Sequence, residues 1–356
     1  MIDVTFWRGR RVFLTGHTGF KGGWLALWLQ EMGAEVHGYA LNPPTQPCLY
    51  DVASVGAGMA AHCVGDIRDA RALQRALHAA RPEVVFHLAA QSLVRLSYAQ
   101  PVDTYSVNVM GTIQLLEAVR RVQGVRALVN VTSDKCYENH EWVWGYREGE
   151  AMGGSDPYSS SKGCAELVTV AYRRSFLDAL GVGVATARAG NVIGGGDWAL
   201  DRLVPDCLRA LDAGRPLTIR SPNAVRPWQH VLEPLAGYLA LAQRLCVEPA
   251  GFGEAWNFGP ADDDLWPVKL VARHLFGTDA AVLAPEPGAG AGVHEAHYLR
   301  LDSAKARSRL GWRPRWNLQS ALDMTSAWHA QWRSGGNMRD VTQAQLRQYQ
   351  SALPAA

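Results

Sequence analysis

The pattern of hydrophobic and polar positions in the first half of the chain alternates between two periods. Short, almost continuous apolar runs predict buried strands at R-R-V-F-L-T-G, E-V-H-G-Y-A, V-V-F-H-L-A-A and V-R-A-L-V-N-V-T. Between these runs, a helical period predicts helices at G-G-W-L-A-L-W-L-Q-E-M-G, at A-R-A-L-Q-R-A-L-H-A-A-R-P and from Pro101 to Val122. Strands and helices that alternate in this order indicate a parallel sheet built from strand-helix-strand units.

The regular alternation fades after Gly190. Gly, Pro and Trp become frequent in G-N-V-I-G-G-G-D-W and S-P-N-A-V-R-P-W-Q-H, and V-L-E-P-L-A-G-Y-L-A-L-A-Q-R-L then reads as another amphipathic helix. We therefore predict an α/β protein with a Rossmann-type doubly wound parallel sheet formed by residues 1–189 and 230–258. Residues 190–229 and 259–356 are predicted to form a smaller, irregular domain.

Charge and cysteine spacing argue against several classes of protein. The formal net charge is +2 and no dense block of Lys or Arg occurs, so the electrostatic footprint of a nucleic-acid binder is missing. No run approaches the roughly 20 apolar residues of a membrane span, and no secretory signal is apparent at the first residues. The six cysteines lie far apart without C-x-x-C, which favours reduced thiols over a zinc site. We predict a cytoplasmic protein without a bound metal.

Three glycines follow the first predicted strand. Gly16, Gly19 and Gly22 in T-G-H-T-G-F-K-G-G-W are three residues apart and precede a predicted helix. Glycine permits a tight turn and the close approach of a pyrophosphate, whose charge the helix N-terminus then meets. The loop therefore predicts dinucleotide binding. Asp66, after the third strand, is a candidate for the adenine end or, alternatively, a helix N-cap. The second strand ends without an acid or arginine that would decide between NAD and NADP.

A tyrosine and a lysine four residues apart supply the second candidate feature. Pro157 opens a predicted helix in D-P-Y-S-S-S-K-G-C-A-E-L, so Tyr158 and Lys162 share one helix face. An ammonium beside a phenol lowers its pKa by favouring the phenolate, which makes Tyr a usable general base. The alternative is a surface pair without a catalytic role.

Three polar residues end the strand V-R-A-L-V-N-V-T. Ser133, Asp134 and Lys135 in V-T-S-D-K-C-Y-E could simply form a turn, because Ser and Asp end strands through local hydrogen bonds. In an open parallel sheet, however, ligands bind beyond the carboxyl ends of the strands, which favours a functional role.

Taken together, these motifs resemble those of extended short-chain dehydrogenase/reductases of the NAD-dependent epimerase/dehydratase family that act on nucleotide sugars. Within it the chain most resembles the CDP-glucose 4,6-dehydratases, through G-H-T-G-F-K-G-G-W, T-S-D-K-C-Y-E-N, G-G-G-D-W and H-E-A-H-Y-L. The resemblance covers nearly the whole chain. It implies an NAD-dependent hydro-lyase that oxidises CDP-glucose at C4, eliminates water across C5 and C6, and returns the hydride to C6. The product would enter the synthesis of deoxy sugars for surface polysaccharide such as lipopolysaccharide O-antigen.

The resemblance also implies roles for individual residues. Tyr158 would take the C4 hydroxyl proton, and Lys162 would lower the pKa of Tyr158 and hold the nicotinamide ribose. Ser133 would bond the C4 oxygen. Asp134 would serve C6 and Lys135 would be the base at C5, where related dehydratases carry Asp-Glu. The neutral lysine this needs requires a depressed pKa, so the alternative is that Lys135 only orients Asp134.

The expected ligand contacts follow from the same resemblance. Cofactor contacts are expected from Gly16, His17, Gly19, Phe20, Lys21, Gly22, Asp66, Ile67, Ala89, Ala90, Gln91, Asn108, Tyr158 and Lys162. Asn191, Arg202, Arg226 and His297 are expected at the substrate, mainly at its diphosphate, because arginine matches phosphate through its forked donors. For the two arginines and His297 the alternative is a solvated surface group.

The resemblance further predicts a homodimer or homotetramer that pairs through helices at 101–122 and 157–180, with no nucleic-acid or membrane partner. Two other functions stay open. A 4-epimerase, reductase or dehydratase acting on another nucleotide sugar would share the scaffold. A non-catalytic dinucleotide sensor would have no chemical use for Ser133, Tyr158 and Lys162.

Overall fold

The computed structural model describes residues 2–219, 221–261, 264–277, 282–283 and 298–352. The described residues form thirteen strands: Arg11–Thr15 (β1), Glu35–Ala40 (β2), Ala61–Val64 (β3), Val84–His87 (β4), Ala127–Val131 (β5), Gly183–Ala189 (β6), Val192–Ile193 (β7), Leu217–Thr218 (β8), Val225–Arg226 (β9), Gln229–His230 (β10), Ala255–Phe258 (β11), Trp266–Pro267 (β12) and Val282–Leu283 (β13). Seven of them build one parallel sheet in the order β11-β6-β5-β4-β1-β2-β3. The predicted α/β fold with a Rossmann-type doubly wound parallel sheet is confirmed.

Helices lie between these strands in chain order. They are Val4–Trp7 (α1), Phe20–Glu31 (α2), Leu49–Val52 (α3), Ala70–Ala80 (α4), Val94–Ala99 (α5), Pro101–Tyr105 (α6), Gly111–Arg120 (α7), Pro157–Tyr172 (α8), Leu203–Asp212 (α9), Leu232–Val247 (α10), Pro249–Phe252 (α11), Val268–Phe276 (α12), Leu318–Arg333 (α13) and Met338–Ser351 (α14). The predicted helix from Pro101 runs through α6, one π-helical turn at Ser106–Met110 and α7. No helix in the described part of the chain is long and apolar enough to span a membrane.

The sheet is covered on both faces. In β1, Val12 and Leu14 belong to one core cluster, whereas Phe13, which points to the opposite face, belongs to a second. The first cluster packs against α2 and α10, and the second packs against α4 and α7. This double burial explains why the strands read as nearly continuous apolar runs in the sequence.

The strand order places the polar strand ends at one edge of the sheet. The chain leaves β1 for β2 and β3 on one side, then returns to β4, β5 and β6 on the other side. The glycine loop follows β1, Ser133 follows β5, and Asn191 follows β6. The crevice at which the direction of winding reverses is the usual binding site of an open α/β sheet.

The remaining short strands pair outside this sheet, as β10 with β7, β12 with β9 and β13 with β8. The last two helices nevertheless belong to the main core. Trp328 from α13 and Tyr349 from α14 lie in the same cluster as α2, and the rings of Trp28 and Tyr349 meet edge to face at 5.7 Å. The C-terminal helices therefore complete the core beside the cofactor-loop helix α2.

A fully buried carboxyl group anchors this C-terminal region. Glu233 of α10 accepts hydrogen bonds from the backbone N–H groups of Arg315 and Trp316 and from the Tyr349 hydroxyl at 2.6 Å. Burial raises the pKa of Glu233 to about 7, although these donors favour the ionised form. The folded state therefore binds a proton more tightly here than the unfolded chain does.

Glu233 generates a prediction about stability and pH. Because its folded pKa is raised, its contribution is complete below about pH 4.5 and is lost as the pH rises through about 7. The wild type should therefore lose unfolding free energy from pH 5 to pH 8 through this group, and Glu233→Gln should not. The difference in unfolding free energy between the two proteins should shift in favour of the variant by up to about 3 kcal/mol over this range. Urea unfolding at both pH values measures this difference. Glu117→Gln, at a partly exposed carboxylate, is the control, and an identical effect of Glu233→Gln at both pH values would contradict the prediction.

Candidate active site

A cavity of about 1020 Å³ opens at the carboxyl ends of the strands. The predicted residues that line it are Gly16, Gly19, Phe20, Lys21, Gly22, Asp66, Ile67, Ala89, Ala90, Gln91, Ser133, Asp134, Lys135, Tyr158, Lys162, Asn191, Arg202 and Arg226. The sequence motifs, which are spread over more than 200 residues, therefore meet at one site. His297 lies outside the described residues.

The glycine loop is packed too closely for side chains. Gly16 has φ +78°, and a Cβ there would lie 2.7 Å from the backbone nitrogen of Ala89. A Cβ on Gly22 would lie 2.1 Å from the carbonyl oxygen of Gly16. Gly19 caps α2 without a side-chain hydrogen bond, so the first N–H groups of the helix are available to an anion.

Two predicted cofactor residues stand behind the cavity wall. The ring of His17 is fully buried and its Nε2 lies 2.6 Å from Nδ1 of His62, so it does not line the cavity. Asn108 holds the loop after β4 in place: it accepts from the Gln91 backbone N–H at 2.9 Å and donates to the Gln91 carbonyl at 3.0 Å. Asn108 also donates to the Ser161 hydroxyl, which ties this loop to α8.

Asp66 lies at the far end of the cavity, next to Ile67 and Arg68. The alternative that Asp66 caps a helix is wrong, because Asp69 is the N-cap of α4 and accepts from the Ala72 N–H. Arg68 pairs with Asp66 at 2.6 Å and with Asp103 at 2.5 Å. These pairs link the end of β3 to α6, and no spacing in the sequence indicates the contact with Asp103.

Ser133 and Asp134 form a buried, hydrogen-bonded pair just after the end of β5. The Ser133 hydroxyl donates to Oδ1 of Asp134 at 3.0 Å, accepts from the Lys135 N–H at 3.2 Å, and lies close enough to the Tyr158 phenol to favour its ionised form. Asp134 is 3% exposed, and its Oδ2 has no hydrogen-bond partner among the described residues. Burial raises the pKa of Asp134, while Lys135, Ser133 and Arg226 act in the opposite direction. The free oxygen is therefore suited to carry a proton.

Tyr158 and Lys162 both lie in the cavity wall, as the spacing predicts, but their electrostatics differ from the expectation. Burial raises the pKa of Tyr158 to about 12, and the Ser133 hydrogen bond and the Arg202 charge oppose this rise. The Lys162 ammonium donates to the Val131 carbonyl at 3.3 Å. Burial lowers the pKa of Lys162 to about 8. In this structure the charge of Arg202 favours the Tyr158 phenolate.

One further cation, Lys21, approaches the same residues. Burial lowers the pKa of Lys21 to about 7, and the charges of Lys162 and Arg202 add to this effect. Its ammonium lies 3.5 Å from the hydroxyl of the buried Tyr238. Sequence reasoning placed Lys21 through its position in the glycine loop and did not foresee that its side chain reaches α10. No local spacing could have shown that contact.

The predicted substrate residues approach the cavity from the irregular half of the chain. Arg202 pairs with Asp197 at 2.9 Å and donates to the Ser92 hydroxyl at 3.0 Å, so it joins the two sides of the opening. Asn191 follows β6, and Arg226 lies in β9. Within the described ranges, no group of three or more His, Cys, Asp or Glu side chains could hold a metal ion.

Comparison with known proteins is consistent with this geometry. The family model described as GDP-mannose 4,6 dehydratase matches residues 13–249. A CDP-glucose 4,6-dehydratase of Salmonella typhimurium is 54% identical over 360 aligned residues, which cover 99% of each chain. The chain belongs to the nucleotide-sugar 4,6-dehydratase family. The resemblance to extended short-chain dehydrogenase/reductases is thereby confirmed.

Solved structures of a dehydratase and of an epimerase that act on nucleotide sugars have the same architecture. The dTDP-glucose 4,6-dehydratase of Streptomyces venezuelae, solved with NAD bound, has a TM-score of 0.76 at 26% identity and covers 92% of this chain and 98% of its own. The UDP-glucose 4-epimerase of Thermotoga maritima reaches a TM-score of 0.77 at 23% identity, covers 90% of this chain and 98% of its own, and shows the shared fold.

The glycine loop generates the second prediction. In Gly22→Ala the new methyl group would collide with the Gly16 carbonyl, so the loop must open and NAD affinity should fall by roughly tenfold or more, about 1.4 kcal/mol. Calorimetric titration with NAD measures the loss. Gly149→Ala, at an exposed position with open space around the added Cβ, should bind like the wild type. Equal NAD affinities for the two variants would show that the tight loop is not the binding element.

Proposed function

We propose that this protein is an NAD-dependent hydro-lyase that converts CDP-glucose to CDP-4-dehydro-6-deoxy-D-glucose. The observation that carries the proposal is the oxygen of buried Asp134 that has no partner in the described part of the chain and lies in the same cavity as Ser133 and Tyr158. An oxidoreductase site needs the hydroxyl pair alone, whereas a dehydratase also needs an acid for the departing hydroxyl. The relative named CDP-glucose 4,6-dehydratase supports the choice of nucleotide.

The cavity fits a dinucleotide on its own residues. The backbone cradle of Gly16 and Gly22 leaves no room for a Cβ, and the uncapped N-terminus of α2 faces it, as a pyrophosphate requires. Asp66 and Ile67 would contact the adenosine half, while Ala89, Ala90 and Gln91 line the wall between the halves. When bound, NAD would supply the acceptor that takes the C4 hydride of the sugar and gives it back to C6.

Oxidation at C4 requires a base for the hydroxyl proton. Tyr158 would accept this proton at its phenolic oxygen, and the Ser133 hydroxyl, which lines the same cavity beside that phenol, would orient the C4 oxygen. Positive charge near the phenol favours the phenolate, so Arg202 assists Tyr158. Lys162, fixed on the Val131 carbonyl, would hold the nicotinamide ribose through its remaining donors.

Elimination requires a base at C5 and an acid at C6. The C4 ketone makes the C5 proton acidic, and Lys135 would remove that proton in its neutral form. Asp134 would donate a proton from Oδ2 to the departing C6 hydroxyl, and burial favours the protonated acid that this step needs. In the alternative role, Lys135 only orients Asp134 by its charge.

Substrate binding is assigned to residues that line the outer cavity. Asn191, Arg202 and Arg226 would meet the diphosphate. Residues 190–229 and 259–356 are proposed as the nucleotide-sugar-binding domain, and residues 1–189 with 230–258 as the dinucleotide-binding domain, into whose core α13 and α14 also pack. His297 keeps its proposed contact with the substrate as a prediction from the resemblance.

Assembly and cellular role belong to the same proposal. A homodimer or homotetramer is supported by exposed apolar side chains on the two helical segments expected to pair, among them Val102 at 82% and Leu167 at 60% exposure. We place the enzyme in the cytoplasm, at an early step of deoxy-sugar synthesis for surface polysaccharide such as O-antigen.

Incubation of the protein with NAD and CDP-glucose tests the function. The expected product is a 4-keto-6-deoxy sugar, detected by its alkali-dependent absorbance. A C4 epimer in its place would indicate an epimerase, and unchanged substrate would indicate a sensor. Turnover of dTDP- or GDP-sugars with inert CDP-glucose would overturn the choice of nucleotide and leave the reaction type standing.

Two variants separate oxidation from elimination. Lys135→Ala and Asp134→Asn should still form reduced cofactor, because Ser133, Tyr158 and Lys162 remain, but both should lose water elimination by about 100-fold or more. Absorbance of the reduced cofactor and yield of the keto sugar measure the two steps separately. Tyr158→Phe is the matched control and should lose both steps. Unimpaired product formation by Lys135→Ala would show that Lys135 is only a turn residue without a role in the reaction.

A further inference from the structure

A buried ion pair that the proposed reaction does not use lies beneath the catalytic residues. The side chains of Glu166 and Arg188 are only 2% and 3% exposed. Arg188 donates from Nε to one carboxylate oxygen at 2.9 Å and from Nη2 to the other at 2.8 Å. Such a bidentate pair fixes the position and the plane of both side chains.

Two threonines complete the hydrogen bonding of the Glu166 carboxylate. Thr132 donates to Oε1 at 2.5 Å and Thr186 donates to Oε2 at 2.7 Å. Burial alone would raise the pKa of Glu166, but Arg188 and the threonines outweigh it, so the pKa lies below its usual value. Glu166 is therefore a fixed anion at the junction of β5, β6 and α8.

The Glu166 carboxylate helps to hold the end of β5, the strand that Ser133 follows. Lys162 and Glu166 are one helical turn apart on α8, and they bond successive residues of the chain, the Val131 carbonyl and the Thr132 hydroxyl. Ser133 is the next residue. The helix face that carries the catalytic lysine thus holds the end of β5 at two adjacent points.

The same network holds the other side of the catalytic segment. Arg188 donates from Nη1 to the Tyr137 hydroxyl at 2.6 Å, and that hydroxyl donates to Asn257 at 2.7 Å. Residues 133–136 therefore lie between Thr132 and Tyr137, and the ion pair contacts both of these residues. A displacement of the pair would move Ser133 and Asp134.

Lys162 depends on Glu166 electrostatically as well. The charged or titratable groups that interact with Lys162 are Glu166 on its own helix, Cys136 after β5, His87 on β4 and Lys21 on α2. Burial disfavours the ammonium, and the two groups that favour it are Glu166 and the Cys136 thiol. At neutral pH, Glu166 is the ionised one of these two, because burial raises the thiol pKa well above its usual value.

We propose that Glu166 is a positioning residue of the dehydratase reaction: its buried carboxylate keeps Lys162 in the ammonium form and, through Thr132 and Arg188, fixes the segment that carries Ser133 and Asp134. The inference rests on the proposed function, in which Lys162 acts as a cation beside the cofactor. Glu166 lies four residues after Lys162, as Lys162 lies four residues after Tyr158, so all three share one face of α8.

Lysine NMR tests the proposal without turnover. The chain contains five lysines, so labelling with [ε-13C]lysine gives five signals, and Lys162→Met assigns the relevant one. In Glu166→Gln the Lys162 signal should titrate about one pH unit or more below its wild-type midpoint, because the buried negative charge that stabilises the ammonium is removed. Glu117→Gln, which removes a partly exposed carboxylate on α7, should leave the Lys162 midpoint unchanged.

A second pair of variants separates charge from packing. Thr132→Val removes one hydrogen bond but keeps the carboxylate, so the Lys162 midpoint should stay at the wild-type value while turnover falls. If Glu166→Gln does not fold because Arg188 is left unpaired, Glu166→Gln/Arg188→Gln removes both charges and should show the same lowered midpoint. A wild-type midpoint in either Glu166 variant, or an equal shift in Thr132→Val, would overturn the proposal.

Activity supplies an independent readout. With the product assay, Glu166→Gln should lose turnover at a lower pH than the wild type on the alkaline side, since Lys162 loses its proton earlier. Glu166→Asp, which keeps the charge, should restore the wild-type alkaline limit even if turnover is reduced, and failure to restore it would count against the charge role. If CDP-glucose proves inert, the proposed function fails, while the NMR midpoints still decide the role of Glu166.

Discussion

The ion pair between Arg188 and Glu166 joins β5, β6 and α8 at the point where the catalytic residues emerge. Its two charges are removed from water, which is tolerable only because every polar atom of the carboxylate has a donor. The geometry of the cavity floor depends on this condition. Ser133, Asp134 and Lys162 keep fixed positions because the groups beneath them form a fully hydrogen-bonded network rather than a loosely packed apolar layer.

The few lysines of the chain are concentrated at the cavity. It has 35 lysines and arginines in total, but only five are lysines, and three of these five, Lys21, Lys135 and Lys162, line the cavity. Arginine stays charged at any working pH, whereas a buried lysine can lose its proton. Arg188 accordingly forms the buried structural pair with Glu166, and the three cavity lysines stand where a proton or a variable charge can take part in chemistry.

Local patterns in the sequence were sufficient for the fold and for the members of the site that are fixed by spacing. The glycine loop follows a strand directly, and Tyr158 and Lys162 share one helix face, so neighbouring residues determine both features. The partners of these groups could not be predicted in this way. Tyr238 and Arg202 approach Tyr158 from elements that are distant in sequence, and the burial that raises the pKa of Tyr158 is a property of the whole cavity wall. His17 belongs to the loop motif, yet close packing turns its ring away from the cavity.

The last helix bears on the order in which the protein can fold during synthesis. Helix α14 packs on α2, and Arg339 of α14 donates to the Gln30 side chain near the end of α2. The edge strand β11 and the buried rings of Trp328 and Tyr349 also come from the final third of the chain. A nascent chain that has released only its first 190 residues therefore exposes an apolar sheet face and an uncovered edge. The core of the cofactor-binding half can therefore close only after the C-terminal helices have been synthesised.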